Sequence, residues 1–574
     1  MAEEEKEKTS SPAGKIRGGA RRDFIQLVLS IAIILLLNFI ATFFFSRFDL
    51  TSDKRYTLSP ATKEMLSKLD DIVYFKIYLE GNLPAGFDRL KTSTKEMLDE
   101  MRIYSHDNIQ YQFINPSESP EKKKQDEISL QLMQKGLTPT YLEVKVEAGT
   151  SQQTIFPGAL ASFRTREFPV QLFKEQIGTP SDLQLNNSIQ SLEYEISTTI
   201  RKLTMDKKAK VAFTEGHGEL DSVDVADIAH ALGDYYSVRR IKLEGKIKNI
   251  EKLNEEDAII IAKPDSAFNE QSKFLIDQFI MKGGKVLWLI DGVYASMDSL
   301  SHSSETFAIS FPLNLENQLF KYGARINSNL VMDMRSGVIP VPVNKKYRLM
   351  PWYYFPLLAQ SNNHPIVNNI NLVKGEFTST VDTVSVAGIK KTFLLSTSRY
   401  TNVQNAPARI DVGTVFREPD VRYFNSVYKP CAVLLEGEFE SLFKNHPLPG
   451  LDSIPEIKFR DKSPATKMII VADGDIIKNA VQHSANRAYP LGYDIYSQQT
   501  FGNKNFIMNA VNYLCDDSGL IEVRSRELKM RMMDRKKVTD EKFKWQAMNT
   551  ALPILLVILF GLLQAFIRKR KFSN

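Results

Sequence analysis

The chain has few of the residues from which metal and redox sites are built. Its 574 residues include 2 cysteines, 7 histidines and 3 tryptophans. Cys431 and Cys515 form no CxxC pair and no zinc-ligand spacing, which excludes a zinc knuckle and a dithiol redox site. The two thiols could pair in an oxidising compartment. We expect instead two unconnected, small core residues.

Catalytic motifs are also missing. Gly216 and Gly218 complete neither GxGxxG nor GxxxxGKS/T. The segment Lys282-Gly-Gly-Lys285 closes a predicted helix and opens a predicted strand, the reverse of a P-loop. No GxSxG is present, and neither cysteine stands at a strand-to-helix elbow near a histidine. We therefore expect no ATP hydrolysis by this chain, no nucleophilic catalysis and no bound cofactor.

No excess of one charge covers the chain. Its 74 basic and 68 acidic residues are interspersed and give a net charge of +6, which excludes a broad nucleic-acid-binding surface. With 43% hydrophobic and 25% charged residues, the composition is that of a globular protein whose body contains two or three domains. Basic residues cluster beside the long apolar runs, where anionic lipid headgroups are the simplest partner.

Two long apolar runs are present, at Phe24 to Phe45 and at Ala547 to Ile567. Each is long enough to cross a bilayer, which takes about 20 apolar residues. The first is longer than the apolar core of a signal peptide, about 7 to 15 residues, so we expect it to persist in the mature protein. Pro553 lies near the start of the second, where a membrane helix tolerates it. The spans either anchor the chain or pack against another membrane subunit.

The orientation follows from the tails, because Lys and Arg in short loops stay in the cytoplasm. Both tails are therefore predicted to be cytoplasmic and the body to lie outside the cytoplasmic membrane. The basic stretch 524–544 argues the opposite, but long domains translocate largely regardless of charge. The basic residues of the tails are Lys15, Arg17, Arg21, Arg22, Arg568, Lys569, Arg570 and Lys571.

Periodicity divides the body into two α/β domains. A disordered tail (1–23) and a span (24–45) are predicted before them. A helical stalk (521–546), a span (547–567) and a tail (568–574) are predicted after them. Domain 46–205 has the element order β-α-β-α-β-β-α of thioredoxin-like domains, without CxxC. Domain 206–520 alternates buried strands and helices, which predicts a Rossmann-like, doubly wound parallel sheet, with an insertion at about 293–465. The first domain's predicted strands are Ile72–Leu79, Ile109–Ile114, Tyr141–Val146 and Thr154–Phe163.

The segment Thr214-Glu-Gly-His-Gly-Glu219 is the sharpest local signal. Glu215, His217 and Glu219, with Asp221, follow a strand at the edge where open α/β sheets bind ligands. They are candidate metal ligands or acid/base groups. The alternative is a glycine-rich turn whose carboxylates cap the next helix.

Carboxylates also follow two later strands. Asp291 comes after Leu289-Ile290, and Asp473-Gly-Asp475 comes after Val471-Ala472. They are compatible with a ligand cleft at the sheet edge, and equally with capping and turn formation. We include Asp291 and Asp473 with Glu215, His217 and Glu219 as a possible ligand or partner site.

Nearly the whole chain resembles a known family. The segments that carry the likeness are Phe48-Asp-Leu-Thr-Ser-Asp-Lys-Arg-Tyr-Thr-Leu-Ser59, Phe213-Thr-Glu-Gly-His-Gly-Glu219, Asp277-Gln-Phe-Ile-Met-Lys-Gly-Gly-Lys-Val-Leu287 and Phe501-Gly-Asn-Lys-Asn-Phe-Ile-Met-Asn509. They resemble GldG, the gliding-motility-associated auxiliary subunit of an ABC transporter, sometimes labelled its substrate-binding component. The middle unit is also similar to a domain of eukaryotic intraflagellar transport proteins and to amidotransferase-like folds, whose nucleophilic cysteine is missing here.

The resemblance implies an ABC permease (GldF-like) and a separate ATPase (GldA-like) as partners, in the inner membrane of a gliding or related Gram-negative bacterium. The body would lie in the periplasm. We therefore expect a non-catalytic, membrane-anchored auxiliary subunit whose ligand is unknown. The alternative is a metal-assisted hydrolase or ligand-sensing domain that uses Glu215, His217 and Glu219.

Overall fold

The computed structural model describes most of the chain. Its described residues are 24, 25, 27–36, 38, 57–146, 149–176, 179–205, 209–243, 249–301, 303–344, 346–445, 458–482, 487–516, 519–525 and 539–572. The chain divides into two units, Met1–Thr57 and Leu58–Asn574. In the first unit, Leu27–Leu36 forms a short apolar helix. The rest of the predicted first span lies largely outside the described residues, so that span stays a prediction.

The second unit begins with a mixed sheet in the order β2-β1-β5-β6, in which β1 and β2 are parallel and the other pairs antiparallel. Helix α1 starts sharply because Ser59 accepts a hydrogen bond from the Thr62 N–H and Pro60 fits the first helical position. The elements here are α1 (Pro60–Ser67), β1 (Val73–Ile77), α2 (Ala85–Tyr104), β2 (Ile109–Phe113), α3 (Lys122–Gln134), β3 (Thr140–Val146), β4 (Gly149–Ile155), β5 (Gly158–Phe163), β6 (Arg166–Gln171) and α4 (Ser181–Thr204).

One predicted strand of this domain is wrong. The expected strand Thr154 to Phe163 is two strands, because β4 ends at Ile155 and β5 begins at Gly158. Pro157 lies between them and has no N–H for a sheet ladder. Strand β4 pairs with β3 in a separate two-stranded sheet, whereas β5 pairs with β1 and with β6, a strand that the periodicity did not reveal.

The larger α/β region follows. Its helices are α5 (Ala226–Gly233), α6 (Asn249–Asn254), α7 (Glu270–Met281), α8 (Met297–Ser301), α9 (Glu316–Tyr322) and α10 (Asn503–Cys515). Its strands are β7 (Lys210–Glu215), β8 (Ser237–Lys242), β9 (Ala258–Ala262), β10 (Lys285–Leu289), β11 (Val293–Tyr294), β12 (Glu305–Ser310), β13 (Ala324–Ile326), β14 (Asn329–Asp333), β15 (Ser336–Val343), β16 (Lys346–Gln360), β17 (Val373–Lys374), β18 (Val381–Thr383), β19 (Ile389–Ser396), β20 (Thr401–Asn405), β21 (Ala408–Asp411), β22 (Pro430–Gly437), β23 (Thr466–Val471), β24 (Val481–Gln482), β25 (Arg487–Ala488), β26 (Tyr493–Asp494) and β27 (Gln499–Thr500).

The main sheet has the order β15-β16-β19-β22-β23-β10-β9-β7-β8, with β17 paired to β16. Strands β8, β7, β9, β10 and β23 are parallel, as the sequence pattern predicted for all of them except β8, which it did not indicate. Strands β22, β19, β16 and β15 continue the sheet in antiparallel pairs. The sheet is therefore mixed rather than parallel throughout, and part of the segment expected to be an insertion extends it.

Helices cover both faces of the parallel strands. Strand β9 is buried along its whole length, and its alternate residues enter two different cores. One core joins Ile260 to helices α5 and α10, and the other joins Ile259 to helices α6, α7 and α9. Cys431 and Cys515 are both buried and form no disulfide, so they are separate core residues.

The region before the second apolar run is not one continuous helix. Leu520–Ser525 is a 3-10 helix that ends the body, residues 526–538 lie outside the described part, and α11 runs over Lys542–Phe572. Among the described residues, Lys542–Ile567 alone is long and apolar enough to cross a membrane. Because α11 begins at Lys542, Pro553 lies in the helix interior rather than near its start.

Candidate ligand or partner site

Four parallel strands deliver charged side chains to one edge of the sheet. Strand β7 ends at Glu215, Lys263 directly follows β9, and Asp291 and Asp473 lie two residues beyond β10 and β23. The carboxyl ends of parallel strands meet at the same edge, where open α/β sheets bind ligands. The predicted residues separate there into two clusters, the His217 turn (residues 214–219) and the acidic cluster (Asp291, Asp473 and Asp475).

The His217 turn satisfies most of its polar groups internally. The Glu219 carboxylate accepts hydrogen bonds from the Thr214 hydroxyl at 2.9 Å and from the His217 N–H at 2.7 Å. Burial alone would raise the pKa of Glu219, but the neighbouring His217 and the hydrogen bond from Thr214 outweigh burial and lower the pKa. Glu219 therefore closes the turn as a carboxylate.

The His217 ring is buried as well. It stacks on the Phe268 ring with 3.8 Å between centroids, and the His217 carbonyl accepts hydrogen bonds from the N–H groups of Asp265 and Ser266. Its Nδ1 lies 3.8 Å from a Glu219 oxygen and forms no hydrogen bond with a described residue. These contacts join the turn to the loop after β9.

The other two carboxylates of this segment have separate partners. Glu215 pairs with Arg240 on the neighbouring strand β8. Asp221 accepts hydrogen bonds from the N–H groups of Val223 and Asp224 and so closes a turn ahead of α5, whose N-cap residue Val225 makes no side-chain capping bond. Glu215, His217 and Glu219 therefore do not converge on one open point, and their possible role in binding stays a prediction.

The acidic cluster gathers three carboxylates around a lysine. Oxygens of Asp291, Asp473 and Asp475 lie within 4.8 Å of one another. The Lys263 ammonium pairs with Asp475 and lies 3.3 Å from Asp291. The Gly474 N–H donates to Asp291 at 2.6 Å. Three carboxylates at this spacing could hold a hard cation, but Lys263 already supplies the neutralising charge.

Repulsion within the acidic cluster shows in its pKa values. Burial raises the pKa of Asp473 well above its usual range, and Asp475 and Asp291 raise it further. Burial also raises the pKa of Asp291, with Lys263 acting in the opposite direction. For Lys263, burial lowers the pKa, but the Asp475 and Asp291 carboxylates outweigh burial and raise it. Such groups mark functional sites more often than ordinary ion pairs do.

The segment after β17 completes this edge with groups that the sequence did not indicate. The Thr378 hydroxyl donates to Asp473 at 2.5 Å, and the Glu376 N–H donates to the same oxygen at 2.9 Å. Lys374 lies 3.2 Å from the Glu376 carboxylate and 3.0 Å from that of Asp494. Burial raises the pKa of Glu376, and the Lys374 ammonium opposes that effect.

A cavity of about 350 Å³ opens beside the acidic cluster, within the size range of small-molecule sites. Its wall includes Lys374, Glu376, Asp475 and Asp494, together with Tyr493. A larger groove of about 880 Å³ lies elsewhere, along strands β13 and β14, and contains none of the predicted residues. The cavity beside the acidic cluster is therefore the candidate ligand or partner site.

Comparisons with known proteins fit a role in transport. A family model described as an ABC-type uncharacterized transport system matches residues 208–510, and a model of a domain of unknown function (DUF7088) matches residues 52–162. An uncharacterized protein of Borreliella burgdorferi is 18% identical over 562 residues, 96% of this chain and 98% of that protein. A solved structure described as the mmIFT52 N-terminal domain shares 13% identity and a TM-score of 0.30, over 54% of this chain and 98% of that one.

Proposed function

This chain belongs to the family described as an ABC-type uncharacterized transport system, and we propose that it is a non-catalytic, membrane-anchored accessory subunit of an ABC transporter. The family match over 208–510 carries this proposal, because it covers the sheet and its carboxyl edge. Helix α11 supports it with a segment that could anchor the chain in a membrane.

The chemistry of the sheet edge supports a role without catalysis. Lys263 is engaged by Asp475 and Asp291, and Asp473 accepts hydrogen bonds from Thr378 and Glu376. No described serine or cysteine stands beside a histidine in this cluster as an activated nucleophile would. Its groups are arranged to neutralise one another, which suits binding and shape better than bond cleavage.

The finer parts of the proposal come from the resemblance to GldG. The partners would be a GldF-like permease and a GldA-like ATPase, and the chain would cross the inner membrane twice with its body in the periplasm. A link to gliding motility belongs to the same resemblance. The binding edge would include Asp291 and Asp473, and the ligand stays unnamed.

Copurification tests the proposal. The intact chain, tagged and isolated from its native membranes in mild detergent, is expected to bring down a multi-span permease and an ATPase. The matched control is the same isolation from cells that carry the untagged chain. Absence of both subunits from the tagged sample would contradict the proposed function.

Topology can be tested with one substitution. Lys390 is the second residue of β19 and its side chain is 72% exposed, while both native cysteines are buried. Lys390→Cys is expected to react with a membrane-impermeant maleimide in intact spheroplasts. The unsubstituted chain gives the background. Labelling that appears only after lysis would place the body in the cytoplasm and invert the partner arrangement.

One observation favours the alternative function at the His217 turn. The buried Nδ1 of His217 has no hydrogen-bond partner among the described residues and lies 3.8 Å from a Glu219 oxygen. A metal-assisted hydrolase or ligand sensor would use these atoms. Metal analysis of the purified chain and of the His217→Ala variant separates the two functions. Equal metal content in the two proteins would contradict the alternative.

A further inference from the structure

Strands β15 and β16 form a hairpin with an apolar face that the described residues leave partly exposed. Directly opposed residues of an antiparallel pair point to the same face. On one face of this hairpin each opposed pair is apolar, and Tyr347 and Leu349 are 80% and 44% exposed. The pairs are Val338 with Pro351, Pro340 with Leu349, and Pro342 with Tyr347.

The opposite face of the same hairpin belongs to the protein core. Ile339 and Val341 are buried there and pack in one cluster with Trp352 and Tyr354. The burial of these residues fixes the register, because a shift by one residue would exchange the two faces. The exposed apolar face is therefore a stable feature of the fold rather than a frayed edge.

The charged side chains beside the hairpin turn are basic and start from the other face, since Lys346 is opposite Val343 and Arg348 is opposite Val341. Lys346 and Arg348 are exposed next to the hairpin turn, and neither forms an ion pair with a described residue. The sequence from Ser336 to Gln360 contains no Asp or Glu. An exposed tyrosine beside Lys and Arg is the composition that proteins place at the headgroup level of a bilayer.

The prolines make another β-strand an unsuitable occupant. Strand β15 is at the edge of the main sheet, where an unpaired edge can accept a further strand. Pro340 and Pro342 remove N–H donors from this edge, which blocks such pairing. An occupant that needs no backbone hydrogen bonds is favoured, and lipid acyl chains and headgroups meet that condition.

We propose that the tip of this hairpin docks on an anionic lipid surface, with Tyr347 and Leu349 of one face at the headgroup boundary and Lys346 and Arg348 of the other face on lipid phosphates. The inference rests on the membrane anchoring in the proposed function, because α11 would hold the body close to a bilayer. Two cations with a small apolar face suit a tethered contact rather than independent attachment.

The test uses the full chain in nanodiscs. Tyr347→Cys is labelled with an environment-sensitive fluorophore, and the discs contain phosphatidylcholine with or without phosphatidylglycerol. In the anionic discs the emission is expected to shift to the blue and to be quenched by nitroxide-labelled lipid. High salt, or the double variant Lys346→Glu with Arg348→Glu, should reverse both effects because the phosphate contacts are lost.

The control is a label at Lys390→Cys, which should stay unshifted and unquenched in every disc. A chain that enters the discs but leaves the Tyr347 label unquenched would overturn the inference alone. An emission shift that needs added permease, without lipid quenching, would also overturn it in favour of a protein occupant. A chain that does not enter discs contradicts the anchoring in the proposed function and this inference with it.

Discussion

The His217 turn and the acidic cluster lie at the same sheet edge but balance their charges in different ways. In the turn, Glu219 receives its hydrogen bonds from Thr214 and His217, which are close neighbours in the chain. In the acidic cluster, Asp473 and Lys263 find their partners across strands that are distant in sequence. The pKa of Glu219 is lowered, whereas that of Asp473 is raised.

This difference separates a structural feature from a candidate functional one. A carboxylate whose pKa is lowered is stabilised by its surroundings as a charge. Carboxyls whose pKa values are raised by burial and by neighbouring carboxylates are poorly stabilised as charges, and a bound partner could supply that stabilisation. The acidic cluster also borders the cavity of about 350 Å³, so it is the part of the edge that an incoming group can reach.

The largest expected effect comes from removal of the cation of the acidic cluster. Lys263→Met leaves Asp475 and Asp291 without their ammonium partner. We expect the free energy of unfolding to fall by about 3 kcal/mol at neutral pH, because one partner of a buried ion pair is removed. Chemical denaturation of the full chain in detergent, followed by intrinsic fluorescence, measures the loss.

The pH dependence of this variant has a definite sign. Without Lys263, the carboxyl pKa values in the folded state rise further above their unfolded values, so the folded state binds more protons. The variant's stability should therefore rise as the pH falls from 8 toward about 5. Lys390→Met removes an ion pair whose lysine is 72% exposed and serves as the control, with a loss below about 1 kcal/mol. Equal losses of unfolding free energy in Lys263→Met and Lys390→Met would contradict the claim that Lys263 balances the charge of the acidic cluster.

Glu219→Gln tests the other cluster. The amide places an NH₂ group against one of two donors, the Thr214 hydroxyl or the His217 N–H, and we expect a loss of about 1–3 kcal/mol at pH 7. Because the folded pKa of Glu219 is lowered, its contribution exists above the unfolded pKa and disappears as the pH falls through the folded pKa. The variant and the original chain should therefore converge in acid. A stability difference between the two chains that stays constant from pH 7 to about pH 3 would refute the role of the Glu219 carboxylate in closing the turn.

The sequence indicated much of the edge because its strands are short, apolar and followed by charged residues. The ends of β7, β10 and β23 could be placed, and with them Glu215, Asp291 and Asp473. Which of them meet could not be predicted, since it depends on the order β23-β10-β9-β7. Lys263 was not predicted as a site residue, because its partners follow other strands.

The antiparallel half of the sheet was harder to predict for a physical reason. Strand β16 contains prolines, which weaken a strand prediction. Glu376 reaches Asp473 from this region and pairs with Lys374, so neither residue could be assigned from spacing alone. In the N-terminal domain, the break between β4 and β5 at Pro157 was not recognised from the sequence.

A smaller effect is expected at the glycine of the His217 turn. Gly218 has φ +71°, and a Cβ there would lie 1.5 Å from the Asp265 carboxylate. Gly218→Ala should cost about 1–2 kcal/mol for the left-handed backbone, plus the displacement of Asp265. Gly388→Ala is the matched control, because Gly388 has φ +76° with nothing near its Cβ position. The difference between the two denaturation midpoints isolates the Asp265 contact, and a larger loss at Gly388 would argue against a closed turn.

The smallest effect is expected at Glu215, which separates it from Glu219 although both belong to the same segment. Its ion pair with Arg240 is partly exposed, at 31% and 25% of the two side chains. Arg240 also donates to the Leu220 carbonyl at 2.6 Å, a bond that Glu215→Gln leaves in place. The glutamine oxygen can still accept from Arg240, so we expect a loss below about 1 kcal/mol in the same denaturation assay. A loss larger than that of Glu219→Gln would mean that the turn is supported from β8 rather than from within, and the contrast between the two clusters would have to be redrawn.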